Sequence, residues 1–251
     1  MDASVTTSSR RNGRSRVLLL GLIVAQVALF GVVALEWRHD SGGASAPLVR
    51  LETGLPAGVP LTIESGFNAA LRRAQGWSAD AYLVSTGMQV DWPTNAAAAN
   101  SSEIPGAGWV IYTFAAGKRG VGPEGKAATL SMLVDRMSGV VIDEQEMGWR
   151  WQPDQAPLLT TYPISSTVAL FAAETTMGNA YRTACPEFRH LSRVSLVRPA
   201  SGANPFWLVT YEDQRATGQP AFRVRVDAIT GEVARDEVAA DVGGCTRAPS
   251  R

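Results

Sequence analysis

The chain has 251 residues, 45% of them hydrophobic and 18% charged, with a formal net charge of zero. That length holds one or two domains, and that composition suits a globular protein carrying an added apolar segment. The balanced charge supplies no basic face for a nucleic-acid partner.

Residues 1–16 are polar and hold Arg10, Arg11, Arg14 and Arg16 against Asp2. They read as a basic tail. Val17–Leu35 then runs without a charged side chain. As a helix it spans about 28 Å, close to the roughly 30 Å hydrocarbon core of a bilayer. The apolar part of a cleaved signal peptide is shorter, about 7–15 residues. The nearby Ala44-Ser-Ala46 lies well past the run and precedes Pro47. The expectation is an uncleaved single-pass anchor in the lipid bilayer. The arginines before it keep the N-terminus cytoplasmic, which places the rest of the chain outside the membrane. Residues 36–61, rich in Gly, Ser, Ala and Pro, read as a linker.

Thr62–Ala74 carries apolar residues at helical spacing, with Ile63, Phe67, Ala70, Leu71 and Ala74 on one face and Gly76 placed to end the helix. Ala81–Asp91 reads as a strand, and 91–108 as a loop. Trp109–Phe114 is strand-like, Gly117–Gly125 a turn, and Leu130–Val141 a strand, tight turn and strand. Residues 149–163 read as a linker containing Trp149 and Trp151. A second helix is expected within 160–184, capped by Ser165 or Ser166, with Val168, Phe171, Ala172 and Met177 among its apolar positions. Arg189–Arg198 and Trp207–Glu212 are strand-like, and Phe222–Val233 is again a strand, turn and strand. Residues 241–251 form a tail.

The two hairpins are near copies. In the later copy residues of alternating polarity lead into the Asp, and in both the Asp is followed three residues later by Ser or Thr and then Gly. These are Asp135, Ser138 and Gly139 in the first, and Asp227, Thr230 and Gly231 in the second. The Asp carboxylate accepts backbone N–H groups ahead of it, and Gly accommodates positive φ at the exit. A tryptophan-led strand precedes each hairpin, Trp109 in one and Trp207 in the other, and a helical pattern precedes that. The fold class expected is α+β: an N-terminal transmembrane helix, then two tandem units at 62–148 and 164–240. Each unit has its own antiparallel sheet with one helix packed across it.

The order helix, strands and "V-D-x-x-[ST]-G-x-V" hairpin resembles the PepSY domain, more closely in Trp207–Val233 than in the first copy. Together the copies cover roughly 62–240. The resemblance implies a membrane-anchored envelope module that binds or restrains a partner protein, possesses no catalytic residues and needs no cofactor.

Catalytic constellations are weak in this sequence. His190 is the one histidine of the folded part, and no Gly-x-Ser-x-Gly elbow accompanies it. A zinc site needs three or four well-spaced ligands, which two cysteines and one histidine do not offer. Cys185 and Cys245 form a disulfide in an oxidising compartment or remain separate thiols. Carboxylates at 143–146 and 236–237 follow the hairpins and read as solvated strand ends. Trp149 and Trp151 either pack between the units or form a contact platform. The leading function is non-enzymatic binding of an envelope protein. The alternative is a ligand- or glycan-binding sensor using the paired tryptophans.

Overall fold

The computed structural model describes residues 49–93, 103–116, 121–122, 126–149, 158, 161–184, 190–199, 203–213 and 220–235. All of them belong to the compact unit formed by 47–251. Among the described residues no helix is long and apolar enough to cross a membrane. The apolar run 17–35 lies outside them.

In chain order the elements are α1 (Ile63–Trp77), β1 (Ala81–Asp91), β2 (Gly108–Ala116), β3 (Val121–Gly122), β4 (Lys126–Asp135) and β5 (Val141–Trp149). After these come α2 (Ser166–Ala173), a π-helical turn (Glu174–Gly178), α3 (Asn179–Ala184), β6 (His190–Val197), β7 (Phe206–Asp213), β8 (Pro220–Asp227) and β9 (Val233–Arg235). The protein is α+β with one large antiparallel sheet and few helices.

The sheet runs β5-β4-β2-β1-β6-β7-β8-β9, and the short β3 pairs with the start of β4. The expectation of a separate sheet in each half is therefore corrected. β1 and β6 pair antiparallel from Gly87↔Ser195 to Asp91↔Leu191 and fuse the halves. Left apart, both strands would present an edge of unpaired backbone groups; joined, each satisfies the other.

Alternation along the strands sorts the faces. Met88, Val90, Val110, Tyr112, Phe114, Met132 and Val134 from one half share a buried face with Val194, Trp207, Val209, Tyr211, Val224 and Val226 from the other. Ile63, Ala70 and Ala74 of α1 and Ala169, Leu170 and Ala173 of α2 close over that face. Alanines at the helix contacts let the backbones approach the sheet. The opposite face carries no helix among the described residues.

Each helix begins as its cap dictates. Thr62 and Ser65 form a reciprocal capping box at α1, and the Ser165 hydroxyl accepts the Val168 N–H at α2. One helix boundary and one helix face differ from expectation. α1 continues through Gly76 to Trp77, and Ser78 N–H donates to the Ala74 carbonyl. α2 turns the other way round, leaving Val168 and Phe171 about half exposed while Ala169, Leu170 and Ala173 are buried. The carboxylates at 143–146 also lie within β5, not at a strand end. The Arg73 guanidinium on α1 reaches across to the Glu144 carboxylate.

Candidate functional site

The two Asp-led turns share a set of hydrogen bonds. The Asp135 carboxylate accepts Ser138 N–H at 2.7 Å and the Asp227 carboxylate accepts Thr230 N–H at 2.8 Å. The Ser138 and Thr230 hydroxyls each accept an N–H two residues on, at 3.3 Å. Gly139 and Gly231 close the turns with φ of 69° and 78°, where a Cβ would be strained. The residue after each Asp then links its hairpin to the adjoining strand and the helix entry. Arg136 N–H donates to Gly108 O and its carbonyl accepts Leu61 N–H; Ala228 N–H donates to Pro205 O and its carbonyl accepts Ile164 N–H. Thr230 N–H, with further bonds from Asn204 and Ile229, holds the Asp227 carboxyl below its usual range.

Aligning the turns on Asp135 and Asp227 sets the register of everything beside them. Trp109 lies opposite Asp135, and Phe206 lies opposite Asp227. Trp109 therefore corresponds to Phe206, not to Trp207, and the tryptophan match read from the sequence slips by one residue. A one-residue slip reverses faces. Trp207 is fully buried and donates Nε1–H to Ile164 O at 2.7 Å, whereas Trp109 is on the other face.

On the helix side, β6, β7 and the π-turn bring together a charged and aromatic cluster. Arg182 is 1% exposed and donates from Nε (3.1 Å) and Nη2 (2.6 Å) to Glu174 Oε2. Its guanidinium lies 3.7 Å from the centroid of the Trp92 ring. Gly178 leaves room for both Tyr211 Oη and Glu174 Oε1, since a Cβ there would collide with each. Burial first, and the Glu174 charge second, push the Tyr211 phenol far above its ordinary range. Buried His190 meets the Tyr181 ring edge-on at 5.0 Å. Within the cluster Arg182 and Glu174 neutralise each other's charge, and Glu174, the first residue of the π-turn, is buried. Beside it, an open concavity of about 630 Å³ is lined by Asp91, Trp92, Pro93, Pro105, Gly106, Ala107 and Met137.

On the helix-free face the same end of the sheet carries a second polar row. Gln89, Arg193, Thr210 and Arg223 are successive cross-strand neighbours on β1, β6, β7 and β8. Arg193 donates to Gln89 Oε1 at 3.2 Å and pairs with Glu212 at 3.1 Å; Gln89 donates in turn to Asp91 at 2.8 Å. Burial raises the Glu212 carboxyl, with Arg193 and Arg223 pulling against it. Arg223 is 6% exposed, and among the described residues its buried Nε–H has no acceptor.

Of the residues singled out in the sequence, the structure places Asp135, Ser138, Gly139, Asp227, Thr230 and Gly231 in the two turns, one turn per half. Cys185, Cys245, Trp151, Asp236 and Glu237 lie outside the described residues, as does the Trp149 side chain; the Trp149 backbone pairs with Ala127 at the end of β5. Sequence reasoning missed Glu174, Arg182 and the Arg193–Glu212–Arg223 group. The one available signal was charge at inward or mid-strand positions. No family model matches the chain, and neither a curated protein nor a solved structure matches it.

Proposed function

We propose that the chain is a single-pass membrane-anchored protein of the bacterial cell envelope. Its extracytoplasmic part, two tandem PepSY-like units, binds a partner protein and performs no catalysis. The uncharged run 17–35, with four arginines before it, supports the anchor and its orientation. Matching turns and matching helix-entry hydrogen bonds in the two halves support tandem units.

The observation that carries the binding role is the outer side of α2. Val168 and Phe171, one helical turn apart, are 50% and 49% exposed on a helix whose other side is already buried by Ala169, Leu170 and Ala173. An apolar pair presented by a rigid helix is the usual anchor of a helix-in-groove contact. Full-length chain solubilised from the envelope captures a specific protein. The double variant Val168→Ser, Phe171→Ser folds normally and captures about tenfold less, as expected when a hot-spot pair worth over 1 kcal/mol is lost. Equal recovery by both forms, or recovery of nothing specific, rejects this reading.

A further inference from the structure

The two halves supply an internal control for the charged row on the helix-free face. In register, Arg193 corresponds to Ser85, Thr210 to Thr113, Arg223 to Ser131 and Glu212 to Ala115. The first half builds the same strands with a neutral row, in which Thr113 and Ser131 satisfy one another through a 2.9 Å hydrogen bond. The architecture therefore does not require charge at these positions. The second half has arginines in place of two serines, sets the Glu212 carboxylate beside them and, among the described residues, leaves the Arg223 Nε–H buried without an acceptor. Asp91 reaches the row through Gln89. A buried, uncompensated guanidinium donor is costly unless an anion completes it.

We propose that Arg193, Thr210 and Arg223 form a binding site for an oxyanion, a carboxylate or phosphate group. The Arg223 Nε–H and the Thr210 hydroxyl form the inner wall. Arg193, whose side chain is 20% exposed, forms the accessible side. Guanidinium groups suit such ligands because two parallel N–H donors match two oxygens. The group arrives either as a free solute or on an acidic side chain of a protein. The inference does not rest on membrane anchoring or on α2, so either reading can fail alone.

Thermal unfolding of the full-length chain in detergent tests it. Chloride is replaced at constant ionic strength by inorganic phosphate, acetate or a hexaglutamate peptide. At least one of the three raises the unfolding midpoint with saturation. The apparent affinity falls about tenfold or more in Arg223→Ser and in Arg193→Ser, which install the residues of the neutral half, and is unchanged in Arg225→Ser. Saturation by hexaglutamate at much lower concentration than acetate assigns the group to a protein partner; comparable concentrations assign it to a free anion. No saturable rise with any probe, or an apparent affinity in both serine variants equal to that of the wild type, overturns the site. If Arg223→Ser does not fold, Arg193→Ser decides alone.

Discussion

Asp227 shows how one side chain sets a turn. Its carboxylate accepts the N–H groups of Ile229 and Thr230, both at 2.8 Å, and the Asn204 amide at 3.0 Å. These donors favour the charged form, so the folded-state pKa lies below the unfolded one, near 3.9. The stabilisation is then fully present above that unfolded value and disappears as pH falls through the folded one. Asp227→Ala should therefore unfold at a lower temperature than the wild type at pH 7. The gap between the two should close as the pH is lowered below about 4. Parallel melting curves from pH 7 to pH 2 check this; a gap constant with pH would show that the carboxylate's charge contributes nothing. Arg136, at the corresponding place after Asp135, works differently. Its guanidinium donates to Leu61 O at 2.9 Å and Pro105 O at 2.8 Å, and burial draws its pKa down to about 10 against the pull of Asp91 and Asp135. It stays charged at neutral pH and ties the hairpin to the start of α1.

At the scale of elements, α1 sits on its sheet by close approach. The Tyr112 hydroxyl donates to Ile63 O at 2.9 Å, and Gly66 makes room for it, because a Cβ there would collide with the oxygen. Alanine is the better helix former by about 1 kcal/mol. Overpacking, at about 1–3 kcal/mol, outweighs that gain here. Gly66→Ala should thus be destabilising in the wild type and close to neutral or stabilising in a Tyr112→Phe background. Denaturant midpoints of the four proteins give the coupling energy directly. Additive effects would mean that the hydroxyl and the glycine do not meet. The strands and the Asp-led turns were legible in the sequence because their signals are local, a period of two and a turn residue at a fixed offset. The buried side of α2 was not. Its Val168 and Phe171 have the right chemistry for a core, but the face is set by contacts from far away. One is Glu64, which binds the first turn of α2 from the other half of the chain. A tryptophan-to-tryptophan match likewise gave the wrong register, because an aromatic suits either face of a strand.

For the molecule as a whole, the question is what makes the two halves one body. The pairing of β1 with β6 joins residues about a hundred positions apart, and nothing local in either strand announces it. Corresponding strands meet there: Gly87 and Ser195 occupy equivalent places in the two halves and also face each other. A local two-fold axis therefore passes through that pair. Beside it, Trp92 Nε1–H donates to Ser192 Oγ at 2.7 Å, and Trp92 N–H to His190 O at 3.0 Å. On the helix layer the tie is Glu64 of α1. Its carboxylate accepts Ser166 N–H at 2.6 Å and Ser166 Oγ–H at 2.7 Å, at the N-terminus of α2. A negative group placed within reach of two helix N-termini is stabilised by both dipoles and satisfies an otherwise unpaired N–H. Hydrogen bonds to a charged group contribute about 1.5–3 kcal/mol. Glu64→Ala should therefore cost about 2 kcal/mol, and Glu64→Gln, which keeps one acceptor, about half of that. Because the sheet is continuous, all three proteins should unfold in one transition, with far-ultraviolet circular dichroism and tryptophan fluorescence giving coincident denaturant curves. Two separated transitions in the wild type would mean that the β1–β6 seam is too weak to couple the halves. A second transition appearing only in Glu64→Ala would show that the helix contact, not the strand pairing, holds them together.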